Sequence, residues 1–216
     1  MQLKWSYWYF RDAVPENVCD HIIKEGLSRK KQIAKIGHGD KGPTRDYKKH
    51  PLTQEEKNNL FKIRNSEVVW LDERWIYKEI HPFIHEANRE AGWNFQWDFS
   101  EAAQFTFYSK KQHYTWHRDG AEDPYDNLND LSIHGKIRKI SSVLLLSDSK
   151  DFKGGELQFA PRFHKPGKKE NIVTATEVQN KGGLIVFPSF LWHRVKPVIS
   201  GTRHSLPMWH LGKPFV

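Results

Sequence analysis

Up to Gly92 the apolar residues recur at helical intervals, and beyond it they alternate with polar ones in short runs. The alternation Trp5, Tyr7, Tyr9 predicts an opening strand, after which Pro15 starts a helical stretch carrying Val18, Ile22, Ile23 and Leu27. Thr53 with Glu56 three residues on has the form of a capping box, in which each side chain satisfies the other's unpaired backbone donor, and predicts a short helix. A longer helix is expected from Asp72, with Ile76, Ile80, Phe83, Ile84 and Ala87 on its apolar face. Pro82 should kink or interrupt it, because proline has no N–H to donate and its ring crowds the preceding turn. Strands are expected at 95–99, 102–108, 113–119, 137–146, 156–159, 172–179, 184–187, 192–198 and 203–209, separated by Gly, Pro, Asn and Asp. Helices followed by many short strands predict a sandwich or double-sheet jelly roll with the helices packed outside one sheet. No repeat or linker divides the chain, so one domain is expected over 1–216. Within it, 1–92 form a helical support with a basic loop and 93–216 a strand-rich core.

Composition narrows the class without naming a function. With 38% apolar, 13% aromatic and 28% charged residues in 216, the chain is a folded globular one and not disordered, collagenous or coiled-coil. The net charge of +8 favours anionic partners in general. Much of it sits between Ser28 and Pro51, where Arg29, Lys30, Lys31, Lys35, Lys41, Arg45, Lys48 and Lys49 lie among Gly37, Gly39, Gly42 and Pro43; such a loop is expected to serve as a substrate lid or simply to be solvated. A second basic turn, Arg162 to Lys169, is a candidate for the same mouth. Cys19 is the single cysteine, which excludes an intrachain disulfide and any multi-cysteine metal site and points to a reducing compartment. The longest apolar runs, such as Val143–Leu146 and Leu184–Phe187, span four residues, and the expectation is a cytoplasmic protein that does not enter a membrane.

Chemistry concentrates at His117-Arg118-Asp119. Residues two apart on a strand point to one face, so this imidazole and carboxylate converge. A second His-x-Asp, His38-Gly39-Asp40, falls in the basic loop without strand periodicity and is read as a chance match. His193 separates the two. It follows the buried strand Leu184–Pro188 and the apolar Phe190-Leu191-Trp192, and can reach a barrel mouth. His117, Asp119 and His193 would supply two imidazoles and one carboxylate to one side of a metal, leaving the open positions that non-haem Fe(II) uses. Ten residues on, Arg203 is followed at the same-face position by Ser205; a guanidinium takes a carboxylate bidentately and a hydroxyl adds a donor, so this pair suits a small dicarboxylate. Tyr108 offers a further phenol donor.

Taken together, Tyr108-x-x-Lys111-Gln112-x-Tyr114-x-x-His117-x-Asp119, Gly154-Gly155-Glu156-Leu157, Phe187-Pro188 with His193, and Gly201-x-Arg203-x-Ser205 with Trp209 resemble the Fe(II)/2-oxoglutarate-dependent dioxygenases, particularly the prolyl 4-hydroxylase-like branch. The resemblance covers about residues 100 to 212. It implies a mainly β (α+β) double-stranded β-helix, the jelly roll, with supporting N-terminal helices. It also implies Fe(II) on His117, Asp119 and His193, with 2-oxoglutarate as cosubstrate, O2, and ascorbate as an accessory reductant. Arg203 and Ser205 would hold the distal carboxylate of 2-oxoglutarate and Tyr108 would help to bind it; Trp209, six residues after Arg203, is a candidate either for lining the substrate mouth or for packing. The implied reaction decarboxylates 2-oxoglutarate to succinate while hydroxylating a peptide or protein side chain, proline first. A small molecule or nucleic acid remains an alternative substrate, and a jelly-roll binding module without catalysis or a cupin-type isomerase an alternative protein. Lys111 stands where the branch has glycine, which puts the geometry of that turn in question, and Arg203 replaces the lysine of collagen-type enzymes. Pro207 predicts an edge position in the last strand. His134, His164, His204 and His210 are expected to be solvent or structural residues, and the sequence sets no oligomeric state.

Overall fold

Two antiparallel sheets face each other in the structure, a computed structural model that describes residues 3–34, 52–120, 123–160 and 171–215. The chain opens with β1 (Trp8–Phe10), α1 (Glu16–Ser28), β2 (Gln32–Ile33), α2 (Gln54–Ile63), β3 (Arg64–Asn65), β4 (Glu67–Leu71) and α3 (Arg74–Glu90). Strands β5 (Phe99–Ser100), β6 (Ala103–Tyr108), β7 (His113–His117), β8 (Ile137–Leu145), β9 (Phe152–Gly154) and β10 (Leu157–Ala160) follow. The last are β11 (Val173–Thr174), β12 (Leu184–Pro188), β13 (Trp192–Val195), β14 (Val198–Gly201) and β15 (Arg203–Gly212). The larger sheet runs β1-β12-β8-β15-β6-β4-β2 with β5 added to β15, the smaller runs β11-β10-β13-β7-β3, and β9 pairs with β14. This is the mainly β jelly roll that the sequence predicts, and β1, β2 and β4 bring N-terminal residues into its larger sheet.

Alternation along the strands builds two cores. Leu145, Ile185 and Phe187 of the larger sheet face Leu157, Phe159 and Val195 of the smaller one across the barrel interior. Their sequence neighbours Leu144, Leu184 and Val186 point the other way, onto Ile22 of α1 and Ile76, Ile80 and Ile84 of α3. Full burial of each isoleucine contributes about 1.5–3 kcal/mol of transfer free energy, which attaches the helices firmly to that face. The expected apolar face of α1 is corrected at its end: Leu27 is 53% exposed, and Gly26 takes the buried position instead. A Cβ at Gly26 would lie 2.3 Å from the Phe105 ring, so only glycine allows this close an approach of helix and sheet.

The capping box of α2 forms, the Glu56 N–H donating to Thr53 Oγ1 (3.2 Å) and the Thr53 N–H to Glu56 Oε2 (2.8 Å). Helix α3 begins at Arg74 and runs on through Pro82. Both Pro82 and Lys78, whose carbonyl loses its helical partner, are exposed, so water can serve that carbonyl and the helix need not break. Strand β4 is absent from the sequence expectation, the predicted 192–198 strand splits into β13 and β14, and only Val173–Thr174 of 172–179 is extended.

The edge position expected at Pro207 is also corrected. Strand β15 lies between β8 and β6; Pro207 pairs with Val143 of β8, while the pairing with β6 ends at Ser205. The missing N–H therefore costs nothing in a ladder that has already stopped on that side. The greater part of the basic loop, with His38 and Asp40, and the turn from Arg162 to Lys169 lie outside the described residues. Of the loop's first cations, Arg29 pairs with Glu25 and Glu73 and Lys31 with Glu67, so they bind the protein itself.

Lys111 holds φ 69°, the left-handed conformation that glycine adopts without cost. The turn keeps its glycine-type shape, its Lys111 N–H donating to the Val198 carbonyl (2.7 Å), at about 1–2 kcal/mol of backbone strain. Lys111→Gly should therefore raise stability by about 1 kcal/mol, a gain of roughly 2–4 °C in Tm. Thermal unfolding followed by circular dichroism checks it, and an unchanged Tm would refute the strain.

Candidate active site

The register between β7 and β13 places His117 directly opposite His193. On β7 three residue steps, from Tyr114 to His117, match two on β13, from Val195 to His193, so the ladder carries a bulge. Such an extra residue re-aims side chains, and here it turns Tyr114 and His117 to the same side, their rings stacked 3.4 Å apart between centroids. Asp119 follows just past the strand end, its N–H and that of Gly120 both donating to the Ser189 carbonyl beyond β12 (2.9 and 2.8 Å). The smaller sheet is thereby tied to the larger at the barrel mouth.

Ligand atoms of His117, Asp119 and His193 lie within 4.8 Å of one another. Asp119 Oδ1 is 3.6 Å from His117 Nε2, and Asp119 Oδ2 is 3.4 Å from His193 Nε2. The Nδ1–H of His117 donates to the Thr115 carbonyl (2.8 Å) and that of His193 to the Leu191 carbonyl (2.9 Å). Because a carbonyl only accepts, both rings carry a proton on Nδ1 and turn Nε2 towards Asp119, the orientation that metal-binding imidazoles adopt. Burial, with neighbouring His193 next, drives the His117 pKa well below its ordinary value and keeps the ring neutral. Burial alone would raise the Asp119 carboxyl, but the surrounding His193, His117 and Arg138 and a hydrogen bond from Ser141 hold it down to about 2. Two imidazole nitrogens and one anionic oxygen suit Fe(II), with positions left for other ligands.

Between the sheets lies a cavity of about 240 Å³, lined by Leu145, Leu157, Ile185, Gly155 and Arg203. It occupies the arginine end of the barrel interior, and the three candidate metal ligands are outside its lining. Arg203 stands opposite Tyr108 across β15 and β6. Its Nη1 donates to Ser205 Oγ (2.9 Å), and its guanidinium carbon lies 5.7 Å from the Tyr108 ring centre. Arg203 is 5% exposed and has no carboxylate partner among the described residues. Burial lowers its pKa, the expected effect of an uncompensated charge. Gly155 leaves room for it, since a Cβ there would sit 2.9 Å from Arg203 Cδ.

Trp209 is buried at the opposite end of β15, with the Arg138 guanidinium 4.1 Å from its ring centre and no acceptor for its indole N–H among the described residues. The sequence reading missed the group around Arg138. Arg138 pairs with Glu101 through two nitrogens, Tyr125 O–H donates to Glu101 (3.1 Å), and Arg138 Nη1 reaches the Asp119 carbonyl at 3.5 Å. Burial alone would lower the Arg138 pKa, yet Glu101 raises it. A second bulge explains why no periodicity disclosed it: β8 takes two steps, Arg138 to Ile140, against one on β15. His204 and His210 are structural, as expected; His210 bonds Ser100 and Ser142 through its two nitrogens.

Residues 103–211 match the family model of the 2OG-Fe(II) oxygenase superfamily. Among curated proteins, the chain is 38% identical over 96 residues to a PKHD-type hydroxylase of Synechococcus sp., covering 44% of this chain and 35% of that one. It is 32% identical over 106 residues to PKHD-type hydroxylases of Xylella fastidiosa, covering 49% and 42%. It thus spans less than half the length of these relatives. Among solved structures it is similar to a Pseudomonas putida prolyl-4-hydroxylase (TM-score 0.63, 18% identity, 96% of this chain and 93% of that one). It is also similar to a Trichoplax adhaerens prolyl hydroxylase solved with a hypoxia inducible factor oxygen degradation domain peptide fragment (0.63, 15%, 95% and 83%). Among the described residues no helix is long and apolar enough to cross a membrane.

Proposed function

Because the chain belongs to the 2OG-Fe(II) oxygenase superfamily, we propose that it is a dioxygenase that uses Fe(II), 2-oxoglutarate and O2 to hydroxylate a peptide or protein side chain, with proline as the residue. The observation that carries this reading is Arg203, a buried cation without a counter-charge among the described residues, set in the same barrel as the His117–Asp119–His193 triad. A buried unpaired charge is costly, and a site built around one suits an incoming carboxylate.

His117, Asp119 and His193 hold Fe(II) through two Nε2 atoms and a carboxylate oxygen. Together with 2-oxoglutarate and O2 the metal supplies oxidative decarboxylation to succinate and CO2 and hydroxylation of a substrate C–H bond. The carbonyls of Thr115 and Leu191 keep both imidazoles oriented. Arg203 takes the distal carboxylate of 2-oxoglutarate, Ser205 adds a hydroxyl, and Tyr108 lines the same end. Leu145, Leu157 and Ile185 keep water from the cosubstrate chain. Trp209, with a buried N–H that meets no acceptor among the described residues, faces the substrate. Ascorbate is the accessory reductant to supply in assays. A peptide substrate is favoured over a nucleic acid by the prolyl hydroxylase neighbours, one of them solved with a peptide. The whole of 1–216 acts as one domain, and the single, buried Cys19 suits the cytoplasm.

Anaerobic titration of metal-free protein with Fe(II) and then 2-oxoglutarate tests the reading. A visible charge-transfer band of a chelated 2-oxo acid is expected, and its absence from folded, metal-loaded protein would overturn the assignment. Arg203→Met should require roughly 10–100-fold more 2-oxoglutarate for the same band, since a charge-assisted contact contributes about 1.5–3 kcal/mol. An unchanged requirement would remove Arg203 from the site.

A further inference from the structure

The two strands that carry His117 and His193 share one tripeptide: Trp116-His117-Arg118 on and just beyond β7, and Trp192-His193-Arg194 on β13. With the histidines facing each other in antiparallel register, the residue before one lies beside the residue after the other. Trp116 therefore meets Arg194 and Arg118 meets Trp192. The guanidinium carbon of Arg194 stands 4.7 Å from the Trp116 ring centre, and that of Arg118 stands 5.4 Å from that of Trp192. Both distances lie within the range at which a cation is attracted to a ring face.

We propose that these two crossed Arg–Trp pairs form a clamp that fixes the spacing of the two histidines, making Trp116, Arg118, Trp192 and Arg194 positioning residues for the metal. The inference rests on the metal role proposed above for His117 and His193. The need for a clamp comes from the bulge beside the pair, where three steps on β7 oppose two on β13. A bulge interrupts the ladder, and a slip of one residue sends each side chain to the opposite face of its sheet. The Arg–Trp contacts bracket the histidine pair on both sides and resist that slip. Arg194 is tied further to β10, its Nε–H donating to Gln158 Oε1 (2.8 Å), so the clamp extends across three strands.

Equilibrium Co(II) binding to the full chain, followed by the visible absorption of bound Co(II), reads ligand spacing without turnover. Arg194→Met keeps the side-chain stem and removes the charge; it should weaken Co(II) binding about tenfold, and Arg118→Met with Arg194→Met about a hundredfold, the range that displaced supporting groups cost a metal site. Exchanging the pair, Trp116→Arg with Arg194→Trp, should restore most of the affinity and the Co(II) spectrum. A merely structural pair predicts otherwise: lower Tm in the variants but unchanged Co(II) affinity and spectrum in the folded protein, which would overturn the clamp alone. If the unaltered protein and Asp119→Ala bind Co(II) equally well, the metal reading falls and the clamp with it.

Discussion

Asp119→Ala is expected to abolish turnover and to weaken Fe(II) binding by more than about 100-fold, beyond the loss caused by removing even a supporting partner of a metal ligand. The carboxylate is the only anion of the triad. With its pKa held at about 2 it stays ionised across the working pH range, and it offers one oxygen towards each imidazole. Without it two neutral nitrogens remain, with no charge to balance a divalent cation. The fold should survive, because Arg138, a cation that acts on Asp119, keeps Glu101 as its partner. Circular dichroism and metal titration of the same preparation separate the two effects. Fe(II) binding as tight as in the unaltered chain would exclude Asp119 as a ligand.

The second large effect concerns acid stability. His210 is fully buried beneath α3, its Nδ1 bonded to Ser100 Oγ (2.8 Å) and its Nε2 to Ser142 Oγ (3.5 Å). Burial, with His81 and His85 close by, drives its pKa from 6.5 to about 3. Between those values the unfolded chain takes up a proton that the folded state refuses, so stability is complete above pH 6.5 and drains away as pH falls towards 3. By pH 4 the loss from this one residue is about 3 kcal/mol, a large share of the 5–15 kcal/mol typical of a domain. Urea unfolding at pH 7 and pH 4 should show a smaller drop for His210→Gln than for the unaltered chain, by about that amount. Equal drops would show that His210 takes no part in acid unfolding.

The candidate triad and Arg203 were legible in the sequence because His117, His193 and Arg203 lie on strands and Asp119 follows two residues after His117, just past the end of β7. His117, Asp119 and His193 carry a spacing that few other pairs in the chain share, and Arg203 and Ser205 sit two apart on one face. Arg138 was not legible: a bulge re-aims it, and bulges leave no periodic mark. Strand β4 was hidden for another reason. Val68, Val69 and Leu71 are all buried, and a continuous apolar run gives no strand period to read. Leu27 fitted the helical period, yet lies outside the core because glycine at 26 lets α1 tilt its face towards Phe105. Pro82 shows the limit of a local rule: exposure of the Lys78 carbonyl makes the missing bond tolerable.

The pairing of β1 with β12 has a practical consequence for handling the protein. The strand Leu184–Pro188 is buried throughout, and β1 covers its outer edge at Trp8, Tyr9 and Phe10. A fragment cut to the family-matched segment 103–211 would lose β1, β4 and both helices of the supporting face. It would expose the backbone of one of the most apolar strands in the molecule, together with the edge of β6. Bare, apolar strand edges template pairing between chains. Such a fragment should collect in inclusion bodies, and the short strand β1 behaves as a built-in guard against self-association.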